Sequence, residues 1–181
     1  MQIAHQAELT ARLKFLFRDD GIVPNTGLPV LLYPGAVEFD IHEDADTASA
    51  ALDAYVEKNG WHFDWKGSVY RRTHYHSTAH ELLVVWSGNA SLKIGGDRLG
   101  EVIRVRRGSA LIIPAGVGHK RLDSSKDFLV LGFYPDGQDW DLCWGLERER
   151  GAAFRNLKNV GLPLTDPIYG REGLLMFEWK K

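Results

Sequence analysis

The chain of 181 residues carries 22 Lys and Arg against 24 Asp and Glu, with 44% apolar and 25% charged residues. These values predict a single ordered domain over residues 1–181 and exclude a disordered chain. The formal net charge of −2, the lack of a basic cluster and the lack of an apolar run of about 20 residues predict neither nucleic-acid binding nor a membrane span. The start MQIAHQAELTARLKF lacks a secretory signal pattern, so a cytoplasmic protein is expected.

Residues 1–60 are predicted to form an extension outside the core of the fold. An extra strand is expected in LKFLF, where apolar side chains alternate up to the turn DDG, at Leu13, Phe15 and Phe17. A surface helix is expected in TASAALDAYVEKNG, where apolar residues recur at helical spacing, at Ala48, Leu52, Tyr55 and Val56. Asp46 is placed to cap its first turn, and Asn59-Gly60 to end it.

The rest of the chain alternates short apolar runs with turn residues. The runs are LPVLLY, ELLVVW, SLKI, EVIRV, SALIIP and DFLVLGFY. Such runs between closely spaced Gly and Pro predict an antiparallel β sandwich or barrel. ELLVVW and FLVLGFY are apolar on both parities, which predicts strands covered on both faces. Beyond Trp140, a short helix is expected in ERERGAAFRNLKNV and a loop in PLTDPIYG.

The segment RRTHYHSTAHELLVVWSG carries the residues that point to chemistry. His74 and His76 are two apart, so on an extended strand both point to one face and Tyr75 to the other. The gap before Glu81 leaves room for a turn that returns its carboxylate to the imidazoles, and His119 follows the distant turn PAGVG. Three imidazoles and one carboxylate suit one divalent first-row metal (Fe, Mn, Ni, Co or Zn) and leave up to two coordination positions open.

These residues resemble the two motifs of the cupins. The first motif (Gly, five residues, His-x-His, three or four residues, Glu, six residues, Gly) corresponds to residues 67–88, with six residues after Gly67. The second (Gly, five residues, Pro-x-Gly, two residues, His, three residues, Asn) corresponds to residues 108–123, with Asp123 in place of Asn. Flanking segments such as YPDGQDWD are similar to the small bacterial YjlB-like cupins.

The resemblance implies an all-β fold, an antiparallel jelly-roll barrel (a double-stranded β-helix) with an N-terminal strand extension and one or two short peripheral helices. It implies that the metal ligands are His74, His76, Glu81 and His119. His80 precedes Glu81 and on a regular strand faces away from it, which favours a supporting or surface role. If the turn places His80 inward instead, it competes with Glu81 as the fourth ligand.

Strand parity adds candidates around the metal. Arg121 shares the inward parity of His119 and is predicted to hold a substrate carboxylate or enolate. Tyr134 ends a strand and is predicted to bring its hydroxyl to the metal-bound ligand. Arg72 has the parity of His74 and is a similar candidate to Arg121. The alternative for both arginines is a rim or dimer salt bridge, which is favoured for Arg72. The remaining interpretations are inward packing for Leu83 and Val85, a lid or interface for Trp140 and Trp144, turns or caps for Asp136, Asp139 and Asp141, surface positions for His5, His42 and His62, and a buried apolar role for Cys143.

The function predicted from these features is a metal-dependent enzyme acting on a small polar or anionic molecule. Oxidation by dioxygen, of the dioxygenase type, is the first reaction class, and isomerisation or decarboxylation is the second. The alternative is a non-catalytic protein that binds or senses a small molecule or a metal. A homodimer is also expected, because a second copy would cover the exposed N-terminal strand.

Overall fold

Eleven β-strands and three α-helices follow one another in residues 1–4 and 14–180, which are the part of the chain described by the computed structural model. The strands are β1 Gln2–Ile3, β2 Lys14–Phe15, β3 Val30–Tyr33, β4 Val37–Glu38, β5 Trp61–Gly67, β6 Glu81–Ser87, β7 Asn89–Ile94, β8 Glu101–Arg106, β9 Ala110–Ile113, β10 His119–Ser124 and β11 Leu129–Pro135. The helices are α1 Ala45–Val56, α2 Glu147–Leu157 and α3 Leu174–Glu178. Leu13 of the expected N-terminal strand and His5 lie outside the described residues.

The strands form two main antiparallel sheets. The larger has the order β2-β3-β9-β6-β11-β5, the smaller has the order β10-β7-β8, and β1 pairs with β4 beside them. Every strand pairing in the described part of the chain is antiparallel. Strands distant in sequence lie side by side, as β6 does between β9 and β11. The fold is therefore the predicted antiparallel jelly roll.

The central strand β6 is buried on both faces, as its continuous apolar run predicts. Leu83 and Val85 pack between the two sheets with residues of β7 and β8. Leu82 and Val84 face the other way, into a second core. That outer core is covered by α1, by the C-terminal segment and by residues of the small β1–β4 sheet. Glu81, the first residue of β6, therefore sits on a strand whose backbone is held from both sides.

Helix α1 forms where helical spacing predicts it, but the residue that caps it lies two positions earlier than predicted. The Asp44 carboxylate accepts hydrogen bonds from the amides of Asp46 and Thr47, each at 2.9 Å. The prediction that Asp46 caps the helix was wrong, because Asp46 already lies within the first turn and its carboxylate pairs with Lys66. A 3₁₀ turn follows the helix, and Gly60 ends it in the left-handed region at φ 70°.

The C-terminal segment is anchored by a buried carboxylate. Asp166 accepts hydrogen bonds from the Tyr33 hydroxyl and from the amides of Ile168, Tyr169 and Leu175. Burial raises the pKa of the Asp166 carboxyl, against the opposing effect of these donors. The predicted loop PLTDPIYG and helix α2 are both present, whereas α3 was not predicted. Among the helices of the described chain, none combines the length and apolarity needed to cross a bilayer.

Candidate metal centre

His74 and His119 are brought together by a short backbone bridge. The amide of His74 donates to the carbonyl of His119 at 3.1 Å, and the amide of His119 donates back at 2.8 Å. Directly paired antiparallel residues project to the same side of a sheet. Their imidazole ring centroids are 4.1 Å apart as a result.

His76 is positioned near His74 and His119 by a second backbone pairing, between Tyr75 and Cys143. Tyr75 pairs with Cys143 and points away from the two histidines, into a separate small core, as the alternation predicts. The pairing brings Asp141 beside His76, whose Nδ1 bonds to the Asp141 carbonyl at 2.5 Å. The His76 ring lies 6.0 Å from the His74 ring and 5.9 Å from the His119 ring, measured between centroids.

All three imidazoles are oriented by backbone carbonyls. Besides the Asp141 carbonyl at His76, the Arg72 carbonyl bonds to His74 Nδ1 and the Val117 carbonyl to His119 Nδ1, both at 3.1 Å. A carbonyl oxygen only accepts, so each Nδ1 carries its hydrogen and a neutral ring keeps a lone pair on Nε2. One ligand nitrogen from each of the three buried rings lies within 4.8 Å of the others. The three histidines are thus positioned for metal binding, with the supporting hydrogen bonds that metal-binding histidines usually have.

Glu81, the first residue of β6, places a buried carboxylate against the imidazoles. It is 2% exposed, with Oε1 3.5 Å from His76 Nε2 and Oε2 3.3 Å from His119 Nε2. The Tyr134 hydroxyl donates to Oε1 at 2.8 Å, whereas Oε2 has no hydrogen-bond partner among the described residues. A buried carboxylate with an unsatisfied oxygen is costly unless a cation balances it.

The ionisation of the cluster reflects burial and mutual contact. Burial, followed by the neighbouring His119, lowers the pKa of His74 to about 3, so the His74 ring is neutral at pH 7. Burial also disfavours charge on His76 and Glu81, but their mutual attraction outweighs it. The pKa of His76 is consequently raised, and the pKa of Glu81 lies well below its usual value, lowered by His76 and His119. Glu81 is therefore an anion at neutral pH.

A cavity of about 290 Å³ opens onto this cluster. The four candidate ligands and Tyr134 line its inner part, and aromatic and aliphatic side chains form its walls, at Trp65, Val69, Tyr70, Leu83 and Trp140. The size and apolar walls are typical of small-molecule sites. Leu83 lines the cavity as its inward parity predicts.

His80 does not join the cluster. Its Nδ1 accepts from the Ala115 amide at 3.0 Å, its Nε2 lies 3.2 Å from the Gly161 carbonyl, and its ring packs on Trp179. The prediction that it faces away from Glu81 agrees with this placement. A surface position was wrong, because His80 is 2% exposed and links three distant segments. Both ring nitrogens are engaged, so His80 does not compete as a ligand.

Of the two residues predicted to act beside the metal, Tyr134 contacts the histidine cluster and Arg121 does not. Tyr134 contacts the cluster directly, with its hydroxyl 3.5 Å from His76 Nε2 in addition to its bond with Glu81. The Arg121 guanidinium instead donates to the Val69 carbonyl and to the Ser124 hydroxyl, and Arg121 is not among the described residues that line the cavity. This placement does not support the prediction that Arg121 holds a substrate anion.

The remaining candidates lie around the mouth or on the surface. Arg72 is exposed and its guanidinium stacks over Trp144 at 5.0 Å, rather than forming a salt bridge with a described residue. Trp140 lines the cavity, and its predicted role as a lid or interface residue stays a prediction. His42 and His62 are exposed, as expected, and His62 pairs with Asp136.

Two supporting residues were misjudged or missed in the sequence. Asp141, interpreted as a turn or cap residue, accepts from the Ser77 amide and hydroxyl, both at 2.5 Å, which fixes the segment that orients His76. Trp65 donates from Nε1 to the Tyr134 hydroxyl at 3.1 Å and was not singled out at all. The alternating pattern WHFDWKG is a strand signal that would have placed Trp65 on one face of β5.

Comparisons with known proteins agree with this architecture. The sequence profile of the cupin domain matches residues 64–128. The chain is 40% identical over 168 residues to YjlB of Bacillus subtilis (strain 168), described as an uncharacterized protein, and the match covers 92% of this chain and 96% of YjlB.

The similar solved structures include a seed globulin and a sugar-nucleotide ketoisomerase. Pumpkin seed globulin is 26% identical, with a TM-score of 0.35, and the match covers 42% of this chain and 22% of the globulin. The TDP-quinovose 3,4-ketoisomerase WlaRB of Campylobacter jejuni is 20% identical, with a TM-score of 0.38, and the match covers 55% and 72%. At TM-scores this low, neither likeness carries an argument about function.

Proposed function

The chain belongs to the cupins, in the family of Bacillus subtilis YjlB, and from this premise we propose that it is a metal-dependent enzyme acting on a small polar or anionic molecule. The observation that carries the proposal is the orientation of three buried imidazoles, each bonded through Nδ1 to a carbonyl, around the buried Glu81 carboxylate. Protein interiors rarely assemble four ionisable side chains around one point unless the charge they hold is used.

The residues fit one divalent first-row metal. His74, His76, Glu81 and His119 would hold it, since neutral imidazoles donate lone pairs and the carboxylate offsets part of the charge. The unsatisfied Oε2 of Glu81 supports this assignment, because a cation would give it the partner that it lacks in the described structure. When bound, such a metal would supply Lewis acidity and open positions for substrate, water or dioxygen. Fe, Mn, Ni, Co and Zn all suit the donor set.

The protein's own groups hold the site in place and control its protons. Burial and the adjacent Glu81 raise the pKa of the Tyr134 hydroxyl, so the hydroxyl remains protonated and donates to Glu81 Oε1. The Trp65 N–H donates to the same hydroxyl oxygen, which orients the donated hydrogen toward the carboxylate. Trp140 packs over His76 and Tyr134 and limits the access of water to this side of the cluster.

Among reaction classes, oxidation by dioxygen is the first candidate and isomerisation or decarboxylation the second. An anionic substrate would find its counter-charge at the metal, since the position of Arg121 does not supply it. The test is metal reconstitution followed by oxygen uptake with a panel of carboxylates and diphenols. His76→Ala is expected to abolish both metal binding and turnover, while His42→Ala, at an exposed histidine, is the matched control and should leave both unchanged.

The outcomes separate the proposal from its alternative. Wild-type protein that binds no first-row metal stoichiometrically would contradict the metal assignment. Tight binding of a panel member without turnover under any metal would instead favour the non-catalytic sensing role.

We also propose a homodimer as the working assembly. Among the described strands, β2 and β8 lie at sheet edges, and Val102 on β8 is 53% exposed. Edge strands of this kind are usually covered by another element or chain. A light-scattering mass equal to one chain would contradict this expectation.

A further inference from the structure

We infer that the cavity takes a planar, single-ring molecule with an anionic oxygen at one end. The inference rests on the proposed function and narrows its substrate class. Its basis is the arrangement of the aromatic walls, the absence of an unengaged cationic group in the described cavity lining, and the size of the cavity.

Aromatic rings flank the cluster on two sides. Trp140 stacks on Tyr134 with ring centroids 5.8 Å apart and planes at 18°, and it lies 5.3 Å from the His76 ring. Tyr70 packs edge-on against His74 at 5.0 Å. Both wall residues keep substantial exposure, 40% for Trp140 and 52% for Tyr70, so they have ring surface left to contact a ligand. Offset and edge-on contacts between flat rings are favoured in this geometry.

The walls are held in place by the protein. The Trp140 indole N–H donates to the Asp64 carboxylate at 3.0 Å, and the Trp65 indole N–H donates to the Tyr134 hydroxyl. Gly132 lies against the Trp65 ring, and a Cβ there would come within 2.3 Å of it. Neither indole N–H needs a partner from the ligand. A ligand would therefore contact the ring surfaces of the walls. Because the rings are already held in position, binding costs little side-chain entropy.

The charged groups of the described lining are concentrated at one end. Apart from the histidine cluster, the cationic side chain that lines the cavity is Lys66, and it pairs with the Asp46 carboxylate. An anionic oxygen would consequently bind at the cluster and its metal, and the body of the molecule would lie between apolar walls. The volume of about 290 Å³ is at the small end of the range for ligand pockets, and it has room for one six-membered ring with a carboxylate or phenolate.

The test compares paired ligands that carry the same polar group on a six-membered ring, which is flat and aromatic in one member and saturated in the other. Benzoate and cyclohexanecarboxylate share the carboxylate and the ring size, but only benzoate is flat. Their binding to Zn(II)-loaded protein is measured by calorimetry, because zinc is redox-inert and no turnover interferes. In parallel, phenol and cyclohexanol are titrated into metal-free protein, where the ring contributes without a metal. Wild type should prefer the flat member of each pair.

Variants assign the preference to Trp140. Trp140→Leu is expected to weaken benzoate binding about two- to twelvefold while changing the affinity for cyclohexanecarboxylate little, since one aromatic contact contributes about 0.5–1.5 kcal/mol. Trp140→Phe should retain most of the preference. Phe177→Leu, at an aromatic residue that is 61% exposed on α3, is the control and should change neither affinity.

The two proposals fail in different ways. Protein that binds neither zinc nor another divalent first-row metal refutes the proposed function, and the phenol and cyclohexanol pair still decides whether the cavity prefers a flat ring. Equal affinity for the two members of each pair, a preference unchanged in Trp140→Leu, or no measurable binding of either pair would overturn the inference even where zinc binds.

Discussion

Substituting Tyr134 by Phe removes one hydroxyl that carries two hydrogen bonds at the cluster. The hydroxyl donates to Glu81 Oε1 at 2.8 Å and accepts from Trp65 Nε1 at 3.1 Å. Losing a hydrogen bond to a buried charged group costs about 1.5–3 kcal/mol, and the unpaired indole N–H adds about 1 kcal/mol. In a protein of this length, such a loss lowers the melting temperature by roughly 5–15 °C.

The assay is urea and thermal unfolding of metal-free protein, followed by zinc affinity measured by competition with a chelator. Zinc affinity is expected to fall about 10- to 100-fold, because Glu81 loses the donor that orients it. Tyr55→Phe is the matched control, since its hydroxyl donates to the neutral Ile168 carbonyl at 2.8 Å. That variant should lose only about 0.5–1.5 kcal/mol and keep its zinc affinity. Equal destabilisation by the two variants, with zinc affinity unchanged in both, would refute the reasoning.

Three further substitutions test the supporting structure. Gly132→Ala should destabilise the protein by about 1–3 kcal/mol in urea unfolding, because its Cβ would lie 2.3 Å from the Trp65 indole ring. Gly161→Ala is the control and should leave stability unchanged, since a Cβ there has nothing within 4 Å. Similar unfolding midpoints for the two variants would contradict a clash at Gly132. Asp141→Ala should weaken zinc binding about tenfold by releasing the segment that orients a ligand, whereas the exposed Asp139→Ala serves as the control, and equal affinities would contradict the role. Hydrogen bonds from Thr47 lower the pKa of the Asp44 carboxyl below 3.8. The stabilising effect of this cap is therefore present above that pH and is lost as the pH falls through the lowered pKa. The unfolding midpoints of wild type and Asp44→Ala should converge on acidification, and a constant difference between them would contradict this role.

Much of the sheet architecture was predictable because a strand that is buried on both faces appears in the sequence as a continuous apolar run. ELLVVW and FLVLGFY became β6 and β11, side by side in the larger sheet. The short α3 was not predictable, since five residues give too little periodicity to recognise. The residue that caps α1 was predicted wrongly because Asp44 and Asp46 are both good capping residues, and the spacing of apolar residues does not distinguish them.

Predicted positions at the site agree with the structure where a side chain is rigid and close to its strand, and differ where the side chain is long or its partner is distant. The parity of Arg121 matches that of His119, but parity places only the Cβ atom, and the guanidinium reached the Val69 carbonyl and Ser124 instead. Asp141 was misjudged because its role depends on His76, 65 residues away. No local pattern records such a contact.

Two-residue alternation by itself determined that His74 and His76 point to one face, with Tyr75 on the other. The gap after His76 left room for a turn that returns Glu81, and the resemblance to the cupin motifs added His119 to the same cluster. Tertiary structure alone decided how they meet. The carbonyls of Arg72, Val117 and Asp141 select the ring nitrogens that converge, and the aromatic walls come from strands and loops far apart in the chain. The physical reason is that alternation is a property of the local backbone, whereas protonation, ring orientation and cavity shape depend on partners that only folding brings near.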